Sequence, residues 1–185
     1  MKIMAISGSV RKNSTNTFLL ENISALSSQI EKNIQFEIFN SVDLIPIFNA
    51  DLEGDKTPQA VLDLCNKIKL SDGIIISSPE YIRSIPGGLK NTIDWLVSRD
   101  EIIAKPIVLA HASHRGDDAL NSLRRVLSTV SKNFTEDIFI KVPLVSKQEN
   151  EIKEIINSLE FKPLVSDFIS SYIQYILSIQ KHTNL

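Results

Sequence analysis

The 185-residue chain carries 20 Lys and Arg against 22 Asp and Glu, a formal net charge of −2, and a single cysteine. That balance leaves no basic excess to neutralise a nucleic-acid backbone, the lone thiol excludes an internal disulfide, and no Cys/His cluster has the spacing of a zinc site. The apolar runs are far shorter than the roughly 18 residues that span a bilayer, and the opening Met1-Lys2-Ile3-Met4-Ala5-Ile6 turns polar at Ser7, too early for a signal peptide. The expectation is a cytoplasmic chain forming one domain over residues 1–185, with neither nucleic acid nor membrane as partner.

Lys2 to Ser7 is an apolar, β-leaning run stopped by Gly8-Ser9. From Thr15 to Ile30, Leu19, Ile23, Leu26 and Ile30 recur at three- and four-residue steps, which predicts a helix with one apolar face. Ile34 to Phe39 alternates apolar with polar residues, as a strand with one better-covered face does. Thr57-Pro58 opens a helix to about Leu70, with Thr57 as cap, Pro58 at the first helical position, and Val61, Leu64, Cys65 and Ile68 inward. Gly73-Ile74-Ile75-Ile76 reads as a strand buried on both faces. A helix over Gly88 to Ser98, a strand over Pro106 to Ala110, a helix over Asp118 to Val130 and a strand over Ile138 to Val142 follow. Two helical stretches close the chain, Glu149 to Leu159 and Leu164 to Ile179, broken near Lys162-Pro163.

Strands alternating with helices require βαβ crossovers, so the expected class is α/β: a doubly wound, five-stranded parallel sheet with helices on both faces. Such sheets bind ligands beyond the carboxyl ends of their strands, where the strand order reverses. The loops after the first, third and fourth strands are therefore the candidates for chemistry.

The first of them, Gly8-Ser9-Val10-Arg11-Lys12-Asn13-Ser14-Thr15-Asn16, places small hydroxyl and amide side chains and one guanidinium at a helix N-terminus. Free backbone N–H groups and the positive dipole end attract an anion there. Ser9, Ser14 and Asn16 can add donors and Arg11 a forked, permanently charged contact, so a phosphate is a natural guest. The loop is neither the triphosphate pattern G-x-x-x-x-G-K-[ST] nor the dinucleotide pattern G-x-G-x-x-G. Plain capping by Ser14 or Asn16, with Arg11 in solvent, fits the same residues equally well.

The third loop and the helix after it run Ser78-Pro79-Glu80-Tyr81-Ile82-Arg83-Ser84-Ile85-Pro86-Gly87-Gly88-Leu89-Lys90-Asn91-Thr92-Ile93-Asp94-Trp95. Here the chain resembles the NADPH-dependent FMN reductase family, the flavodoxin-like quinone, azo and chromate reductases, whose pattern is approximately P-E-Y-N-x-S-x-P-G-x-L-K-N-x-I-D-W. Ile82 stands where asparagine is usual. Gly8, Ser9, Arg11, Ser14 and Asn16 match the family's G-S-x-R-x-x-S-x-N, and Pro46 to Leu52 resembles its segment after the second strand. The resemblance covers Met1 to about Val130.

It implies a flavodoxin-like FMN-binding domain and an oxidoreductase that takes electrons from NADPH or NADH as co-substrate. The acceptor would be a small molecule: a quinone, an azo or nitro compound, free flavin or an oxidised metal ion. Ser9, Arg11, Ser14, Thr15 and Asn16 would hold the FMN phosphate, and Pro79, Glu80, Tyr81, Ile82 and Ser113 would line the isoalloxazine. The flavin carries the chemistry, so no side chain is assigned as acid, base or nucleophile, and no metal ligand is expected. The family's habit of building the pocket near a two-fold interface implies a homodimer, with a homotetramer as its further assembly. The last helix, apolar over Phe168, Ile169, Tyr172, Ile173, Ile176 and Leu177, suits such an interface or simple packing on the sheet. Two other classes remain open: an FMN-binding electron-transfer protein without NAD(P)H oxidation of its own, and a nucleotide- or phosphate-binding module that has lost flavin.

The fourth loop, His111-Ala112-Ser113-His114-Arg115-Gly116, departs from the family's G-A-S-x-G. It also fails as a hydrolase elbow, G-x-S-x-G, because His111 replaces the first glycine. His111 reads as a hydrogen-bonded structural histidine, Cys65 as a small buried hydrophobe, Trp95 as a core aromatic, and Lys12 and Lys90 as solvated charges. Arg115 or a charged His114 would favour reduced flavin if aimed at its pyrimidine edge. The alternative is that Arg115 points to water and pairs with Asp117 or Asp118.

Overall fold

A computed structural model describes residues 1–183. Five strands, β1 (Lys2–Ser7), β2 (Gln35–Phe39), β3 (Gly73–Ser77), β4 (Ile107–His111) and β5 (Phe134–Lys141), form one sheet in the order β2-β1-β3-β4-β5, and every pairing is parallel. Helices α1 (Thr15–Ile30), α2 (Gln59–Leu70), α3 (Gly87–Asp94), α4 (Asp100–Ile103), α5 (Asp117–Val130), α6 (Glu149–Ile156) and α7 (Phe161–Thr183) carry the chain between and beyond the strands.

Alternate side chains of each central strand feed opposite cores, as the two-residue period requires. Ile3, Ala5, Ile75, Val108 and Ala110 pack with Leu19, Leu20 and Ile23 of α1 and with Val165, Phe168, Ile169, Tyr172 and Ile176 of α7. Met4, Ile6, Ile74, Ile76, Ile107 and Leu109 pack with residues of α2, α3 and α5. Helices on both faces explain why β3 and β4 are buried at every position. The α7 face is thereby accounted for by the sheet. Phe168, Ile169, Tyr172 and Ile176 are buried within the chain, and only Leu177 of that set stands well exposed.

One contact fixes α7 against the sheet. The fully buried Tyr172 hydroxyl lies 2.9 Å from the Ile74 carbonyl and 3.0 Å from that of Pro106, where it donates its proton. Burial pushes this phenol well above its ordinary value, so it stays a donor.

The structure departs from the sequence reading at several ends, each for a local reason. Thr57 does not cap α2: its hydroxyl donates to the Gly54 carbonyl at 2.7 Å, closing the preceding 3-10 turn, and Pro58 takes the cap position. The helix expected over 88–98 stops at Asp94, because Trp95 turns inward and donates its indole N–H to the Pro46 carbonyl at 2.7 Å. That indole is buried and meets Phe48 edge-on, the core role expected of it. The four-residue α4 then follows, too short to leave a periodic pattern. β5 begins at Phe134 because Phe134 pairs with Ile107 before a register shift sets Phe139 opposite Leu109. The break near Lys162-Pro163 falls earlier, since Pro163 sits in the first turn of α7, where its missing N–H costs nothing.

Candidate active site

The loops after β1, β3, β4 and β5 converge on an open cleft of about 350 Å³ beside the β1/β3 boundary, where the strand order reverses. That volume is in the range of small-molecule sites. Of the ten residues marked in the sequence, Ser9, Arg11, Ser14, Thr15, Asn16, Pro79, Glu80, Tyr81 and Ser113 line it, and Ile82 does not. Ser78, His111, Arg115, Gly116, Val145 and Ser146 complete the lining.

A close approach shapes the first wall. A Cβ at Gly8 would sit 2.7 Å from Leu89 Cδ2 and 3.0 Å from Ser78 Oγ, so glycine is what lets the β1 loop pass α3 and the β3 loop. Ser14 caps α1, its hydroxyl oxygen accepting the Asn16 N–H at 3.2 Å. Capping and anion binding are therefore not alternatives here, because the capping hydroxyl keeps its own proton to donate. The Asn16 Oδ1 accepts from the buried Ser77 hydroxyl at 2.9 Å, which turns the amide N–H₂ to the other side. Arg11 is exposed, and no carboxylate pairs with it among the described residues.

The β3 wall is a tight hairpin. Tyr81 and Ser84 exchange both backbone hydrogen bonds, at 3.2 and 3.1 Å, around Ile82 and Arg83 at φ 50° and 56°. Two-residue turns with positive φ at both central positions favour Asn-Gly, and a β-branched residue there is strained. The turn throws the Ile82 side chain into solvent, 100% exposed, which leaves the backbone of this residue as the part that can face a ring in the cleft. Replacing Ile82 with asparagine, which tolerates this conformation, should stabilise the fold by about 1 kcal/mol. A urea midpoint that stays put or falls in Ile82→Asn would show that the turn stores no strain. Glu80, one residue before the hairpin, accepts the Ala119 N–H at 2.9 Å and so joins this wall to the first turn of α5.

The β4 wall is built on His111. This buried imidazole places Nε2 at 2.6 Å from the Arg115 carbonyl, which can only accept, so Nε2 carries a proton. Burial pulls His111 below the ordinary value of 6.5, partly offset by the Arg115 carbonyl. The sign follows: the unfolded imidazole takes a proton near 6.5 while the folded one resists, so stability is full above that value and falls as pH drops below it. Melting temperatures measured from pH 7 down to 5.5 should show this fall, and His111→Asn should flatten it. An equal slope in both proteins would remove His111 as its cause. Arg115 pairs with neither neighbouring acid; Asp117 faces Lys141 and Asp118 faces Arg83, each at 3.7 Å. His114 is exposed and does not line the cleft. Lys90 pairs with Asp94 rather than standing in solvent alone. Cys65 is buried as expected.

Ser146, at φ 69°, brings the β5 loop to the cleft. Nothing in Leu144-Val145-Ser146-Lys147 signals such a turn, since no Gly, Asn or Asp marks the left-handed position. Among the described residues no cluster of His, Cys, Asp and Glu could hold a metal ion, and no helix is long and apolar enough to cross a membrane.

The chain is 34% identical over 115 residues to the NADH:(hydroxy)cinnamate reductase subunit CrdA of Vibrio ruber, a match covering 62% of this chain and 54% of that one. It is 31% identical over 189 aligned positions to the probable NADPH:quinone oxidoreductase 2 of Oryza sativa subsp. japonica, covering 97% and 91% of the two chains. In fold it resembles the flavoenzyme NAD(P)H:(acceptor) oxidoreductase FerB of Paracoccus denitrificans, with a TM-score of 0.76 at 22% identity over 96% of this chain and 97% of that one. The profile of the family described as NADPH-dependent FMN reductase matches residues 1–139, a span that holds β1 to β4 and three of the four loops around the cleft. On that match the chain belongs to the NADPH-dependent FMN reductase family.

Proposed function

We propose that residues 1–185 act as a single FMN-binding domain that oxidises NADPH or NADH and reduces a small acceptor of the quinone or azo class. One observation carries this reading: the cleft at the strand-order reversal has a wall of donors with no acid among them. Ser9, Ser14, Thr15, Asn16 and Arg11 gather at the start of α1. Among the described residues the one acid on the cleft, Glu80, is engaged by the Ala119 N–H. That donor set fits a phosphate monoester, which brings negative charge and three acceptor oxygens.

In this reading Ser9, Arg11, Ser14, Thr15 and Asn16 hold the FMN phosphate, and Pro79, Glu80, Tyr81 and Ser113 line the ring system. Bound FMN supplies the transfer of electrons from nicotinamide to acceptor. The chain's own residues bind and orient. Arg11 neutralises the phosphate, the Asn16 amide is aimed by Ser77, and the β3 hairpin holds Tyr81 at the lip. No side chain of the chain acts as acid, base or nucleophile. Titrating the flavin-free protein with FMN should quench FMN fluorescence saturably, and without air the loaded protein should oxidise NADPH or NADH beyond the stoichiometric reduction of its own flavin only when a quinone or azo dye is present. Absence of saturable quenching would refute the cofactor assignment.

The expected location is the cytoplasm and the expected assembly a homodimer, or a tetramer built from it. Support comes from the exposed apolar residues Val10, Leu44, Ile47, Tyr81 and Ile82, which lie on the loops after the adjacent strands β1, β2 and β3. A monomeric mass by light scattering at micromolar concentration would contradict it.

A further inference from the structure

Arg115 is a second guanidinium on the cleft with no acid paired to it among the described residues. It arrives on the loop after β4, whereas Arg11 comes from the loop after β1. Its acidic neighbours in sequence are engaged elsewhere, Asp117 with Lys141 and Asp118 with Arg83. Glu80 is held by the Ala119 N–H. What Arg115 does contact is neutral. Its Nη2 donates to Ser146 Oγ at 3.2 Å, its backbone N–H to Ser113 Oγ at 3.0 Å, and its carbonyl accepts from His111 Nε2 at 2.6 Å. Both the backbone and the tip of the side chain are thus fixed, while the other guanidinium donors stay open.

In the proposed function a single cofactor phosphate sits with Arg11, which leaves Arg115 uncompensated in a chain of net charge −2. We propose that Arg115, braced by Ser146, is an anion-recognition residue that selects electron-exchange partners carrying an oxyanion. Two sources share that chemistry: the 2′-phosphate of a reduced nicotinamide dinucleotide and a carboxylate on the acceptor. A guanidinium presents a rigid fork to either oxyanion, and an unpaired cation on a cleft wall raises the local concentration of anions. The inference rests on reading the cleft as an FMN reductase site.

The test uses FMN-loaded protein and two redox-inert ligand pairs in calorimetric titrations: 2′,5′-ADP against 5′-AMP, and 2-naphthoate against 2-naphthamide. At least one pair should show a preference for the more anionic member of about fivefold, the scale of a solvent-exposed charge contact. The responding pair identifies the source. That preference should disappear in Arg115→Gln, weaken in Ser146→Ala and largely return in Arg115→Lys. Equal binding within both pairs, or a preference that survives Arg115→Gln, overturns the proposal. So does a fall in the midpoint potential of bound FMN in Arg115→Gln with the preference intact, which would assign the cation to flavin electronics. Failure of the underlying reading is separately visible, because a protein that takes up no FMN fails at loading, before either pair is measured.

Discussion

Arg11→Ala is expected to weaken FMN binding by about 1.5–3 kcal/mol, roughly ten- to 150-fold in Kd. The reason is local charge. A phosphate monoester carries about −1.5 to −2 near neutral pH, and of the two cations just before α1, Arg11 and Lys12, it is Arg11 that lines the cleft, with no carboxylate paired to it among the described residues. The hydroxyls of Ser9 and Ser14 and the Asn16 amide would remain in the variant, so binding should weaken rather than vanish. Riboflavin, which has no phosphate, should bind variant and wild type alike. Equal FMN affinity in the two proteins would reduce Arg11 to a surface charge. A parallel loss for riboflavin would mean that the substitution disturbs the whole loop.

Gly73→Ala should destabilise the fold by about 2–4 kcal/mol, combining overpacking with the loss of a buried hydrogen bond. A Cβ there would lie 2.3 Å from the Tyr172 oxygen and 2.9 Å from Ile176 Cδ1. Tyr172 cannot yield without leaving the Ile74 and Pro106 carbonyls, and α7 cannot shift without opening the core beneath it. Introducing the alanine into Tyr172→Phe removes the oxygen it strikes, so the penalty should be smaller in that background. The same penalty in both backgrounds would show that the contact with Tyr172 is not its cause. Gly73 opens β3 at the end of the strand away from the cleft, so FMN affinity under folding conditions should not change.

Much of this molecule could be read from its residues. The fully apolar Ile74-Ile75-Ile76 announces a strand covered on both faces, and Leu19 and Ile23 mark the buried stripe of α1. The two loop motifs fall on the cleft because a doubly wound sheet puts the loops after neighbouring strands side by side. What stayed hidden depends on contacts between distant segments. The polar Thr135-Glu136-Asp137 looks like a loop until Phe134 finds Ile107 on β4. Ser146 reaches the cleft through a left-handed turn that its neighbours do not encode. Glu80 lines the cleft as its motif position suggests, yet one of its carboxylate oxygens also accepts from the start of α5, a pairing across 39 positions that the sequence does not signal. Ile82 is the instructive case. The resemblance gave its position in the motif, but only the backbone shows that the turn demands positive φ and turns the side chain away from the site.

The most direct test of a reductase at this cleft is the visible spectrum of the purified protein loaded with FMN, recorded without air before and after NADPH or NADH is added. Bound yellow flavin that bleaches on adding a nicotinamide, and recovers when a quinone is supplied, is the predicted result. Flavin that stays yellow with both nicotinamides would contradict it and leave an electron carrier. A protein that remains colourless in excess FMN would contradict the cofactor as well.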